Sequence, residues 1–139
     1  MSVCTFFGHR DCPENIREKL REAIVTLIGE GVDTFYVGNQ GQFDGMVRSV
    51  LRQLSKEYPI RYAVVLAYLP TERREFEDHC DTMYPEGLEN VPPRFAIAHR
   101  NKWMIGVSDY CICFIRHSWG GAYQFVQQAM GKGKRIIHL

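Results

Sequence analysis

No run of apolar residues in this 139-residue chain approaches the roughly 20 that a membrane span requires. Nor does Met1-Ser2-Val3-Cys4 open on a basic segment followed by an apolar one, as a signal peptide would. Both absences predict a cytoplasmic protein with no membrane partner. Cysteine pairs of CxxC spacing are missing, and Cys4, Cys12, Cys80, Cys111 and Cys113 match no zinc pattern, so no metal is expected. The five thiols read as small buried core residues. Charge of one sign is also missing: 17 basic residues against 16 acidic leave +1, which argues against a nucleic-acid clamp. One further absence is local. No acid follows Asp109, so the chain up to that residue carries −3 while the final 30 residues, with Arg116, Lys132, Lys134 and Arg135, carry +4.

What is present is ordinary globular material: 45% hydrophobic and 24% charged residues exclude disorder and fibre. Residues 3–7 read as a short buried strand stopped by Gly8. A helix follows with Pro13 as its first residue and Asp11 or Cys12 near the cap; Ile16, Leu20, Ile24 and Leu27 recur at helical spacing. A second strand covers 34–37 and a second helix runs from about 44 to 58, ended by Pro59. Residues 61–69 form a continuous apolar run, as in a strand covered on both faces. Residues 70–93 hold seven acids, two arginines and four prolines and read as a partly helical excursion or lid. A helix over 94–107, a strand over 110–115, a helix over 121–130 and a strand over 135–138 complete the order. Strands alternating with helices predict a single α/β domain over 1–139, a three-layer Rossmann-like fold with about five mainly parallel strands and helices on both faces.

Ligands of such sheets bind beyond the carboxyl ends of the strands, so the residues after each strand are the candidates. After the first come Gly8, His9 and Arg10: a close backbone approach, a donor or acid–base group, and a guanidinium for phosphate or carboxylate. After the second come Gly38, Asn39, Gln40 and Gly41, feeding a helix start whose N–H groups favour anions, with Asp44 either an N-cap or a contact to ribose or base. After the fourth, Ser118, Trp119, Gly120, Gly121 and Ala122 open another helix and form the best phosphate cradle in the chain. Trp119 and Tyr123 offer rings on which a base would stack. Arg100 lies on an otherwise apolar helix and needs a partner: a salt bridge to Asp109 or Asp44, or a ligand phosphate. The glycines and lysines of 131–134 precede a strand and read as a turn at the opposite end of the sheet.

The segment Thr5-Phe-Phe-Gly-His-Arg10, then Gly38, Gly41 and Asp44, then Arg100, Met104 and Asp109, and finally Gly120-Gly121-Ala122 occur in an order that resembles the SLOG superfamily. That grouping joins DprA/Smf-type DNA-processing proteins to LOG-type phosphoribohydrolases. The Gly-His-Arg end of the first strand looks most like the small bacterial YpsA-like branch. The resemblance implies a Rossmann-like domain binding a nucleotide-derived ligand. LOG-type enzymes release a base using an arginine, matched by Arg100, and a glutamate after the glycine turn, where this chain has Gln127. A glutamine cannot stabilise the positive charge that develops on the ribose. The expectation is therefore a binder of a small nucleotide-derived molecule (NAD, ADP-ribose or a nucleoside phosphate), acting as a sensor or regulatory module. The alternatives are a nucleotide N-glycosidase with a rearranged acid, Arg100 and Asp44 being its catalytic candidates, and a DprA-like single-strand DNA binder. No cofactor is expected beyond that ligand, and the apolar third helix suggests a homodimer.

Overall fold

The computed structural model describes residues 2–68 and 81–139. Six parallel strands form one sheet: β1 (Val3–Gly8), β2 (Thr34–Val37), β3 (Arg61–Val65), β4 (Asp81–Met83), β5 (Tyr110–Phe114) and β6 (Arg135–His138), in the order β4-β3-β2-β1-β5-β6. The helices are α1 (Ile16–Gly29), α2 (Gly41–Glu57), α3 (Ala96–Val107) and α4 (Gly121–Gly131). This is a single Rossmann-like α/β domain. Its sixth strand, β4, was not expected; only three residues long, it takes its place by pairing Ala63, Val64 and Val65 of β3 with Asp81, Thr82 and Met83. The lid expected over 70–93 falls partly outside the described residues.

Alternation along the strands divides the core in two. Cys4, Phe6, Phe35, Val37, Ile112 and Phe114 face one side, where Ile16, Leu20, Ile24 and Leu27 of α1 and Val47, Val50, Leu51 and Leu54 of α2 cover them. Phe7, Val65, Cys111 and Cys113 face the other, beneath Met104 and Ile105 of α3 and Val126 and Ala129 of α4. Full burial of each such aliphatic side chain contributes roughly 1.5–3 kcal/mol, and these two layers hold the sheet between them. Cys4, Cys12, Cys111 and Cys113 are buried free thiols; burial pushes Cys113 up to about 11 and raises Cys4 and Cys111 as well. Cys80 lies outside the described residues. No described helix is long and apolar enough to cross a membrane.

Several element ends differ from the sequence reading, each for a local reason. α1 begins at Ile16 rather than Pro13, because the Pro13 and Glu14 carbonyls accept from the Ile16 and Arg17 N–H groups, the three-residue spacing of a tighter turn that leads into the helix. β3 ends at Val65 rather than 69, since the Val65 carbonyl accepts from Arg100 and the Leu66 N–H crosses to Met83. A 3-10 turn, Pro93–Phe95, takes the start expected of α3. α2 begins at Gly41, three residues earlier than expected, with Gln40 in the N-cap position, so Asp44 is not the cap.

Candidate functional site

The chain runs outward from β1 to β4 and then crosses to the other side of β1 to lay down β5. Strand order therefore reverses between β1 and β5. The loops leaving their carboxyl ends diverge there, opening a cleft of about 790 Å³. Of the residues singled out from sequence, Gly8, His9, Arg10, Gln40, Asp44, Arg100, Trp119, Gly120, Gly121 and Ala122 line it. Gly38, Asn39, Gly41 and Ser118 do not. Asn101, Arg116 and His117 line it without having been expected; Arg116 and His117 stand between β5 and the glycine turn, and Asn101 follows Arg100.

The floor is built around Gly38. A Cβ at that position would stand 2.9 Å from Asp44 Oδ2 and 3.0 Å from the Arg100 guanidinium carbon, so the acid and the base approach each other only across a glycine. Arg100 is 2% exposed. Its Nε donates to Asn101 Oδ1 (2.8 Å), and its Nη1 to the Val65 carbonyl (3.0 Å) and Asn39 Oδ1 (3.3 Å). Burial lowers its pKa, opposed by the charge of Asp44. Asp44 Oδ2 accepts the Gln40 N–H at 3.0 Å. Burial pushes the Asp44 carboxyl up to about 6, against the opposing pull of that N–H and of Arg100 and Arg48. Asp109 is not a partner of Arg100: its carboxylate accepts the Val3 N–H at the opposite edge of the sheet.

Two glycine turns bring helices to this edge. In the turn before α2, Gly41 (φ +83°) lets the backbone pass close to Arg10, whose carbonyl accepts the Gln42 N–H at 2.8 Å. The Gln40 N–H at this turn is held by Asp44. The turn before α4 is open. Gly120 (φ +93°) stands in the N-cap position without a side-chain cap, and nothing lies within 4 Å of where a Cβ on Gly121 would be. Gly8 has a packing duty: a Cβ there would overlap the Phe43 ring at 2.3 Å.

The rim is aromatic. His9 stacks on His117 and His117 on Trp119, each with ring centroids 3.7 Å apart, and Trp119 ends the stack 69% exposed. His9 Nε2 accepts the Arg116 N–H at 2.9 Å, which requires a lone pair on that nitrogen. Burial, together with the neighbouring His117 and Arg116, lowers the His9 pKa and keeps the ring neutral at pH 7. Arg116 lies over the Phe114 ring and donates to the Leu139 carbonyl. Gln127 is exposed and outside the cleft lining, as are Lys132 and Arg135, which leads into the amino end of β6; the half-buried Lys134 is outside it too. Among the described residues no group of His, Cys, Asp and Glu is arranged to hold a metal ion.

No protein-family model and no curated protein matches the chain. Among solved structures it is similar to the X-ray structure of DNA processing protein A (DprA) from Streptococcus pneumoniae, with a TM-score of 0.70. It shares the DprA fold. Sequence identity is 17%, and the superposition covers 99% of this chain and 50% of that one, so the chain spans about half the length of DprA. This Rossmann-like architecture is the one that the resemblance to the SLOG superfamily implied.

Proposed function

We propose that the cleft between β1 and β5 binds a nucleotide-derived small molecule of the NAD, ADP-ribose or nucleoside phosphate type. In this reading the chain is a cytoplasmic sensor or regulatory module of the SLOG superfamily, nearest its YpsA-like branch. The observation that carries the reading is the convergence, in one cleft, of the uncapped α4 N-terminus, the exposed Trp119 ring and a buried Asp44–Arg100 floor. Phosphate suits the first, a base the second, and hydrogen-bonding groups the third. The basic residues at 132, 134 and 135 stand at the amino edge of the sheet and do not serve this cleft, which favours a small anion over a nucleic-acid strand. Calorimetric titration with AMP, ADP-ribose and NAD tests the proposal: saturable binding of at least one is expected, and no binding of any at millimolar concentration would overturn it.

One observation favours a second reading. Asp44 is a buried acid facing the cleft beside Arg100, where a nucleotide N-glycosidase with a rearranged acid would need one. Incubation with nucleoside monophosphates or NAD, followed by chromatography for free base, decides it. Base release that persists unchanged in Arg100→Ala and Asp44→Asn would remove these residues from the chemistry. Self-association belongs to the same proposal, since Phe95 and Val107 at the two ends of α3 are exposed; a monomeric mass in light scattering would exclude it.

A further inference from the structure

Asp44 is a carboxyl group only 9% exposed, and its two oxygens differ. Oδ2 accepts the Gln40 N–H, while Oδ1 takes no protein hydrogen bond among the described residues, although the side chain lines the cleft. Oδ1 is not one of the buried atoms left without a partner, so it opens on the cleft, where water or a ligand supplies its donor. Of the neighbouring donors, Arg100 Nε is held by Asn101, Arg100 Nη1 by Val65 and Asn39, and the Gln40 N–H by Oδ2 itself; Arg48 acts on the carboxyl through its charge, and its buried Nε makes no hydrogen bond. Gly38, against which the carboxyl rests, has no side chain to offer.

We infer that Asp44 reads the hydroxyl groups of a ligand's sugar at the floor of the cleft, so that the site selects ribosyl over deoxyribosyl compounds. This rests on the nucleotide reading above. Chemistry distributes the parts of such a ligand. A phosphate is repelled by the Asp44 carboxylate and attracted by the free N–H groups at the start of α4. A base needs a flat apolar face, and the His9–His117–Trp119 stack supplies one at the rim. The vicinal hydroxyls of ribose are left for the floor, where two O–H donors meet an acceptor-only carboxylate. Charge-assisted hydrogen bonds of this kind are strong enough that an analogue lacking one hydroxyl binds more weakly, because the carboxylate then loses that donor.

Calorimetric titration at pH 7.5 with AMP, 2′-deoxy-AMP, 3′-deoxy-AMP and GMP tests this on the wild-type chain and on Asp44→Asn. The wild type is expected to bind at least one deoxy analogue tenfold or more weaker than AMP, and AMP and GMP within a few-fold of each other. Asparagine keeps an oxygen for the Gln40 N–H but turns its amide donor toward the ligand hydroxyls, so the variant is expected to bind AMP and its deoxy analogues alike. Asp44→Ser gives the same readout should Asp44→Asn fail to fold. Equal wild-type affinities for AMP and both deoxy analogues overturn the inference. So does a preference that survives in the variant, or one that follows the base instead of the sugar. Failure of AMP to bind at all also overturns it, while the nucleotide reading stands or falls on the wider panel with ADP-ribose and NAD.

Discussion

The turn after β2 and the turn after β5 both place glycines ahead of a helix at the carboxyl edge of the sheet, and in the sequence both read as anion cradles, the second as the better one. In the first, the Gln40 N–H is held by Asp44 and the Gln42 N–H by the Arg10 carbonyl, and Gly38 leaves the room into which the Asp44 and Arg100 side chains both reach. Neither helix has a side-chain cap and each turn holds a glycine of positive φ, but in the second the space beside Gly121 is empty. A glycine turn therefore signals close approach of something. Whether that something is the protein or a ligand depends on which donors remain unused. The first turn contributes to the polar floor of the cleft, and the second forms its mouth.

The largest expected effect breaks the first turn from the α3 side. Arg100→Met removes the cation nearest a buried acid and strips Val65 and Asn39 of their donor, so stability should fall by about 3–5 kcal/mol in urea unfolding at pH 7.5. A loss under 1 kcal/mol would show that the floor is not a coupled unit. Asp44→Asn should act in the opposite direction. An acid whose folded-state pKa of about 6 lies above its usual value near 4 costs stability once ionised; the cost is absent below pH 4 and complete above pH 6. The variant should thus be about 2–3 kcal/mol more stable than wild type at pH 7.5 and indistinguishable from it near pH 4. Unfolding midpoints at the two pH values check the sign.

Two matched alanine substitutions then set the turns against each other. Gly38→Ala forces a Cβ against Asp44 Oδ2 and Arg100 and should cost about 1–3 kcal/mol. Gly121→Ala meets open space within the first turn of α4 and should change stability by no more than about 0.5 kcal/mol. Its effect should appear in ADP-ribose affinity, weakened several-fold by the methyl group at the mouth. Equal losses of stability in both variants would mean that the two turns are not different in kind.

Much of this was legible before any coordinates. Helical spacing of Ile16, Leu20, Ile24 and Leu27 and the apolar run from 110 onward identify their elements because burial of a face leaves a period in the chain. β4 left no such mark: a three-residue edge strand has too few side chains to show alternation, and its place comes from pairing with β3. Among the site residues, Arg100 announced itself as a charge on an apolar helix, whereas Asn101 and His117 did not, since an amide beside an arginine and a histidine beside a glycine turn are unremarkable in a sequence. The choice between Asp44 and Asp109 as neighbour of Arg100 was likewise open, because both lie at plausible distances along the chain.

The sequence by itself determined the order of strands and helices apart from β4, the absence of acid beyond Asp109 and the glycines at the strand ends, for these depend on local periodicity and residue type. Tertiary structure alone decided that β1 and β5 are neighbours, that Asp109 faces the far edge of the sheet, and that Asp44 and the Arg10 carbonyl engage N–H groups of the turn before α2. Those are matters of which backbone groups find partners across the fold, and hydrogen-bond partners distant in sequence leave no trace in the composition of either segment.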